Sequence, residues 1–224
     1  MSLAGNSNLI KTNWKKPPAD PMVLMQDWVK QAQLAGITEP LGMTLTTVNQ
    51  AGWAWNRVVL VKEFNPASII FGSSSNSDKG QDIKHDARVA GNFWWRESVQ
   101  QIHFRGYAAI VSSSKSDFLW QTRSRSAQAI AICSQQSQLL KSELDFQTEV
   151  GALEHSDKIL LRPFGWNAYQ ITPIEYEFWQ GDASRLHKRL RYSLQVPHVD
   201  FPQPSDLTES VIQSAIWTQQ RLQP

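Results

Sequence analysis

Between residues 42 and 71, apolar and β-branched residues come in three short runs, MTLTTV, NRVVLVKEF and SIIF, parted by Gln50-Ala51-Gly52 and by Asn65-Pro66. Runs of this length with turn residues between them read as consecutive antiparallel strands. RVAGNFWW and VQQIHFRGYAAIV continue the pattern, and in the second Ile102, Phe104, Gly106 and Ala108 share one face while Gln101, His103, Arg105 and Tyr107 share the other. Strand character returns in WNAYQITPIEYEFWQG, RLHKRLRYS and IWTQQRL. Helical period is confined to two places. In ADPMVLMQDWVKQAQLAG, Asp20 suits a cap, Pro21 the first turn, and Leu24, Met25, Trp28, Val29 and Ala32 one face, with Gly36 as the stop. An insert then carries helices expected over 117–123, 127–133 and 139–153. This order predicts a mainly β chain with α elements, an antiparallel barrel with helices packed on one side.

The 224 residues, 41% hydrophobic with ten Trp, suffice for one sizeable core. We expect a flexible leader over 1–19 and a single domain over 20–224, interrupted by a Pro-rich loop excursion at 194–210. Cys133 is the only cysteine and sits in the apolar run AIAIC, so neither a disulfide scaffold nor thiol chemistry is expected and a reducing cytoplasm fits. No apolar run approaches the roughly 20 residues that span a bilayer. A formal charge of +2 implies no broad attraction to nucleic acid or membrane, so any anion must be caught locally. The five His lack metal-ligand spacing, and no metal is expected.

The segment running from Phe71 into SDKG is a strand that ends in small hydroxyl residues and enters a helix. Such a junction aims backbone N–H groups and a positive dipole end at one point, and Ser73, Ser74, Ser75, Ser77 and Lys79 add donors and charge. It reads either as a phosphate site or as a solvated serine turn. Arg57 and Lys62 in NRVVLVKEF, with Arg185, Arg189 and Arg191 in RLHKRLRYS, are cations in otherwise apolar strands and must reach solvent or meet an anion. Strand parity sets Arg57 and Lys62 on opposite faces, so a shared ligand would need a bulge, a strand end or the barrel rim. His187 suits orienting a substrate or exchanging a proton, and Trp94, Trp95 and Trp179 suit either core packing or the walls of a flat ring system.

ADPM ahead of a helix, RVVLVK, the serine loop with SDKG, Gln101 in VQQIHFRG, SQQS, and EFWQGDASRLHKRLRY with RLQP at the end together resemble the pyridoxamine 5'-phosphate oxidases and their phenazine-biosynthesis relatives. The resemblance covers residues 18–192 and the last strand. It implies an FMN-binding split barrel that forms a homodimer, with FMN at the interface held by both subunits. By position, Arg57, Ser73, Lys79, Gln136 and Ser137 would hold the phosphate side of the flavin. Val58, Val59, Leu60, Lys62, Gln101, Trp179 and Arg189 would line its ring and edge. Lys62 and Arg123 would meet an anionic group of a small-molecule substrate, and Arg185 and His187 would face the reacting carbon as catalytic residues.

The resemblance also has gaps. Asp78 stands where the family usually carries Arg, and Gly72 where Tyr is frequent. The Tyr and Ser hydroxyls of the substrate-phosphate site fall at Leu119 and Ala127. At roughly 1.5–3 kcal/mol for each hydrogen bond to a charged group, the pair amounts to about 3–6 kcal/mol. No match to the family's substrate-covering N-terminal Arg and Tyr is found. The reaction implied is hydride transfer from substrate to FMN with molecular oxygen as acceptor, pyridoxamine 5'-phosphate being the first candidate and a phenazine-like or other aromatic metabolite the second. The competing class is a non-catalytic FMN-binding redox protein.

Overall fold

The computed structural model describes residues 5–195, 204, 207, 211 and 216–224. Helix α1 (Pro21–Leu34) starts where Asp20 accepts a hydrogen bond from the Met22 N–H at 2.8 Å and buries Leu24, Met25, Trp28, Val29 and Ala32. Its stop at Gly36 uses a φ of +69° that a residue with a Cβ seldom adopts. The strands are β1 (Gly42–Val48), β2 (Ala54–Asn65), β3 (Ser68–Ser74), β4 (Arg88–Trp95), β5 (Gln100–Ile110), β6 (Trp166–Gln180), β7 (Lys188–Gln195) and β8 (Ile216–Leu222).

All pairings are antiparallel, in the order β3-β2-β1-β4-β5-β6-β7-β8, and β6 also pairs with β3. Six strands, β1 to β6, therefore close a barrel, and β7 and β8 run off it. Strand β6 makes the split. Its first part pairs with β3 through Ile171, and its last part pairs with β7 from Glu175 onward. Pro173, which has no N–H to donate, lies between the two. Opposite it the β5–β6 register shifts at Arg105/Gly106, where a Cβ on Gly106 would sit 2.1 Å from the Thr172 carbonyl oxygen. A side chain would push the two strands apart at the point where the sheet divides.

The inward rows of these strands and the buried face of α1 form one core, with Trp28 set edge-on to Phe178 at 5.2 Å. The remaining helices are α2 (Asp78–His85), α3 (Ser113–Gln121), α4 (Arg125–Cys133) and α5 (Glu143–Glu154). Three helix starts differ from expectation because a serine caps each helix, Ser124 beginning α4 two residues early. Ser112 starts α3 four residues early, and Ser142 delays α5 and leaves Leu139 95% exposed. A second, smaller cluster of Ile70, Leu119, Trp120, Trp166 and Ala168 ties α3 to β3 and β6.

The described part of the expected flexible leader is packed against the barrel. Ile10 is 1% exposed, Thr12 Oγ1 accepts from the Trp28 indole at 2.7 Å, and the Pro18 carbonyl accepts from the Tyr192 hydroxyl at 2.9 Å. Polar composition suggested looseness, whereas one buried apolar residue, the Thr12 hydroxyl and the Pro18 carbonyl hold the described part against the barrel. Of the expected excursion at 194–210, Leu194 and Gln195 belong to β7, where they pair with Trp217 and Ile216. Most of the rest lies outside the described residues. No helix among the described residues is long and apolar enough to cross a membrane.

Candidate functional site

The serine junction after β3 behaves differently from its sequence reading. Ser77 caps α2, its Oγ accepting from the Gly80 N–H, and the Asp78 N–H is taken by Ser137 Oγ at 3.1 Å. These helix-end donors are thus engaged within the chain. What converges instead is a set of side chains. Lys79 Nζ donates to Ser77 Oγ at 3.0 Å and to Gln136 Oε1 at 3.1 Å. Burial, and then the neighbouring Arg57, lower the Lys79 ammonium to about 8 against the opposing pull of Asp78. Arg57 is also lowered, by burial first, with Asp82 and Asp78 working the other way. Two neighbouring cations with a buried Ser73 form a cationic socket that could hold an anionic group. Asp78 stands at its rim and offsets part of the charge.

A cavity of about 260 Å³ opens from this socket, walled by Val58, Val59, Leu60, Gly72, Trp166 and Arg123. The outer face of β2 supplies its apolar side, since Val58 is 69% and Leu60 47% exposed. A Cβ on Gly72 would lie 2.5 Å from the Trp166 ring, so the indole occupies the space that a side chain at Gly72 would need. Arg123 lies over Trp166 at 5.1 Å and over Trp120 at 5.6 Å, and it donates to the Ala127 carbonyl at 2.8 Å. Its buried Nε has no partner and burial lowers its pKa. A guanidinium desolvated by indoles, with no carboxylate partner among the described residues, could take an anion. Leu119 is buried in the small cluster and not on the cavity wall, so that position contributes packing.

Lys62 is the extra residue of a bulge between Val61 and Glu63. It is exposed, lines a groove with Gln26, Lys30 and Gln33 of α1, and makes no hydrogen bond or ion pair among the described residues. It is therefore not brought to Arg123 within one chain, contrary to the pairing expected of them.

The other expected residues gather at the far end of β6. The Gln101–Trp179–Arg189 row crosses β5, β6 and β7, with Trp94 6.1 Å from Trp179 and Gln101 donating to Asn92 Oδ1 at 2.6 Å. His187 lies 4.8 Å from Trp179 and its Nδ1 accepts from the Asp182 N–H at 3.1 Å. Its neutral form then carries the proton on Nε2. Arg185, expected in a strand, lies in the turn before β7, with φ +65° and its N–H bonded to the Asp182 carbonyl. Ser137 has a φ of +75°, so two of the four left-handed non-glycine residues among those described are candidate site residues.

Three residues that sequence reasoning passed over organise these groups. Glu177, buried on β6, accepts from Arg189 Nε at 2.7 Å and from Arg191 at 3.1 Å, with His103 Nε2 at 3.6 Å. Burial would raise its pKa, but the bonds from Arg189 and Arg191 and the charges of His103 and Arg189 leave it lowered. Thr47 and Asp82 stand behind Arg57, the Thr47 hydroxyl accepting from NH1 at 2.6 Å and donating to Asp82 Oδ2 at 2.6 Å. The signal for Glu177 was present in its parity with Trp179. Thr47 and Asp82 carried no comparable signal.

Residues 29–153 match the family model described as pyridoxamine 5'-phosphate oxidase, and residues 166–224 match the pyridoxine 5'-phosphate oxidase C-terminal dimerisation region. The chain is 36% identical over 178 residues to a pyridoxine/pyridoxamine 5'-phosphate oxidase of Cyanothece sp., covering 79% of this chain and 84% of that one. It is 31% identical over 191 residues to a dihydrophenazinedicarboxylate synthase of Pseudomonas chlororaphis, covering 85% and 86%. Among solved structures, PhzG from Burkholderia lata 383 in complex with tetrahydrophenazine-1-carboxylic acid superposes with a TM-score of 0.85 at 28% identity, covering 98% of this chain and all of that one. With both halves of the sheet, the barrel closure and the cation socket in place, the chain belongs to the pyridoxamine 5'-phosphate oxidase family, whose members are FMN-dependent oxidoreductases.

Proposed function

We propose that the protein is an FMN-dependent oxidase of a flat aromatic substrate that carries a carboxylate, and that it works as a homodimer with FMN between the subunits. The observation that carries the reading is Arg123. It is a half-buried guanidinium packed on two indoles in the cavity wall, without a carboxylate partner among the described residues. A phosphate site of the resembled kind would draw hydroxyls from positions 119 and 127, where Leu119, buried in the small cluster, and Ala127 offer none. A planar carboxylate needs only the two parallel N–H groups of one guanidinium. The similarity to a dihydrophenazinedicarboxylate synthase agrees with a carboxylated ring.

The fit to FMN rests on the residues present. Arg57, Lys79, Ser73 and Gln136 form a cationic, hydroxyl-bearing socket whose donors suit a phosphate. Beside it Val58, Val59 and Leu60 offer an apolar wall for a ring, with Ser137 beyond the socket. The socket and the Gln101–Trp179–Arg189 row sit at opposite ends of β6, about 40 Å of strand at ~3.3 Å per residue. A site that uses both draws them from two copies, which supports the homodimer.

Bound FMN would supply a hydride acceptor for the substrate and a route for the two electrons to molecular oxygen, which would leave as peroxide. The chain's residues do the rest. Arg189, steadied by Glu177, would contact the ring edge with Gln101 and Trp179. Arg123 of one copy would hold the substrate carboxylate, with Lys62 brought near by the partner's approach. Arg185 would orient the reacting carbon from its turn. His187, whose Nδ1 is occupied, would present Nε2 to a substrate donor or acceptor and exchange a proton there.

Stopped-flow reduction of the bound flavin under nitrogen, with pyridoxamine 5'-phosphate and with dihydroaromatic carboxylates, tests the reading. We expect the carboxylates to reduce it faster, with oxygen uptake once air is admitted. Reduction by pyridoxamine 5'-phosphate alone would overturn the substrate class. Failure of every substrate would favour a non-catalytic FMN-binding redox protein.

A further inference from the structure

We infer that Thr47 and Asp82 are positioning residues for the flavin phosphate: they form a directed hydrogen-bond relay that locks the Arg57 guanidinium from behind and confers preference for a phosphorylated over an unphosphorylated flavin. This rests on the reading of the Arg57–Lys79 socket as the phosphate site.

The direction of the relay is set by chemistry. A guanidinium only donates and a carboxylate only accepts, so the single Thr47 hydroxyl must accept from Arg57 and give its own proton to Asp82. Each link is 2.6 Å. Thr47 is fully buried on β1, and Asp82 is 9% exposed on α2. Burying a carboxylate and a hydroxyl is costly unless their bonds are kept. The simplest arrangement would be a direct ion pair. Here Arg57 NH2 stays 3.8 Å from Asp82, beyond hydrogen-bond distance, and the hydroxyl carries the link. The consequence is geometric: NH1 is engaged by Thr47 and by the Leu45 carbonyl, while Nε and NH2 make no hydrogen bond among the described residues. The guanidinium is hydrogen-bonded at one corner only, with NH2 in a long ion pair to Asp82 and Nε and NH2 left to hydrogen-bond an anion near Lys79. Asp82 also favours the charged form of Arg57 against its burial, as Asp78 does for Lys79. Preorganised donors of this kind bind an anion without first having to be ordered.

The test compares FMN with riboflavin, which lacks the phosphate, by quenching of flavin fluorescence on the full-length apoprotein. Thr47→Val keeps the β-branched shape and removes the hydroxyl. We expect FMN affinity to fall about tenfold or more while riboflavin affinity stays unchanged. Thr47→Ser should restore FMN binding, and in an Arg57→Ala background Thr47→Val should have no further effect. Should Thr47→Val not fold, Thr47→Cys against Thr47→Ser carries the same comparison, since the pair differs only in sulfur for oxygen. Equal losses for FMN and riboflavin, or a loss that persists without Arg57, would show a merely structural role and overturn the proposal. No loss at all would overturn it too. A wild-type protein that binds riboflavin as tightly as FMN would instead refute the phosphate socket itself.

Discussion

At the scale of residues, the socket is a balance of charges that pH can tip. Lys79 is the sensitive member, because burial and Arg57 bring its ammonium down to about 8 from the ordinary 10.5. Below pH 8 the folded and unfolded chains both carry the proton, and stability does not respond to it. Between about 8 and 10.5 the folded chain has released the proton and the unfolded chain has not, so the apoprotein gains stability as pH rises. Anion binding runs the other way. A phosphate favours the protonated amine, so binding takes up a proton and affinity falls as pH passes 8. Flavin titrations at pH 7 and pH 9 should show weaker FMN binding at the higher pH, with riboflavin indifferent. Lys79→Met should abolish that difference; a pH dependence that survives the substitution would mean that another group is responsible.

At the scale of elements, the fold was legible wherever period and punctuation agreed. Each strand run became a strand, and Asp20, Pro21 and Gly36 framed α1 as their chemistry requires. What stayed hidden depends on partners far away in sequence. Parity placed Lys62 opposite Arg57, but no local signal marked the bulge in which Lys62 sits. A run of Arg and Leu reads as strand, yet Arg185 turns left-handed because its N–H returns to the Asp182 carbonyl. The site was legible as residue types through resemblance, and the residues behind them were not, because Thr47 and Asp82 become a relay only when α2 packs on β1. The split in β6 is the element most exposed to a single change. Gly106→Ala would force a methyl to 2.1 Å from the Thr172 carbonyl, where the partner is backbone and cannot rotate away. Overpacking of this kind costs about 1–3 kcal/mol. A urea midpoint lowered accordingly at unchanged slope is the expected result, and a neutral substitution would mean that β5 and β6 can part at the bulge without loss.

At the scale of the whole molecule, the question is why a barrel with a filled core exposes so much apolar surface. Val58 and Leu60 on the outer face of β2 are exposed, Trp55 is open near the start of the strand, and Trp94 on β4 and Leu186 in the turn with Arg185 are exposed too. An apolar strip on the outer face of a barrel strand, continuous with a cofactor-sized cavity, is what a second subunit would cover. The matched dimerisation region contributes the strands at the other end of β6, so one copy's C-terminal strands can meet the other copy's β2. Val58→Asp tests this coupling of assembly and cofactor. A carboxylate at that wall would have to be desolvated on dimerisation and would face the flavin ring, so the variant should sediment as a monomer and purify without flavin. Because Val58 points away from the core, the isolated barrel should keep its far-ultraviolet circular dichroism spectrum. A monomer that still bound FMN with wild-type affinity would place the complete site within one chain, and a variant that remained dimeric would move the seam away from β2.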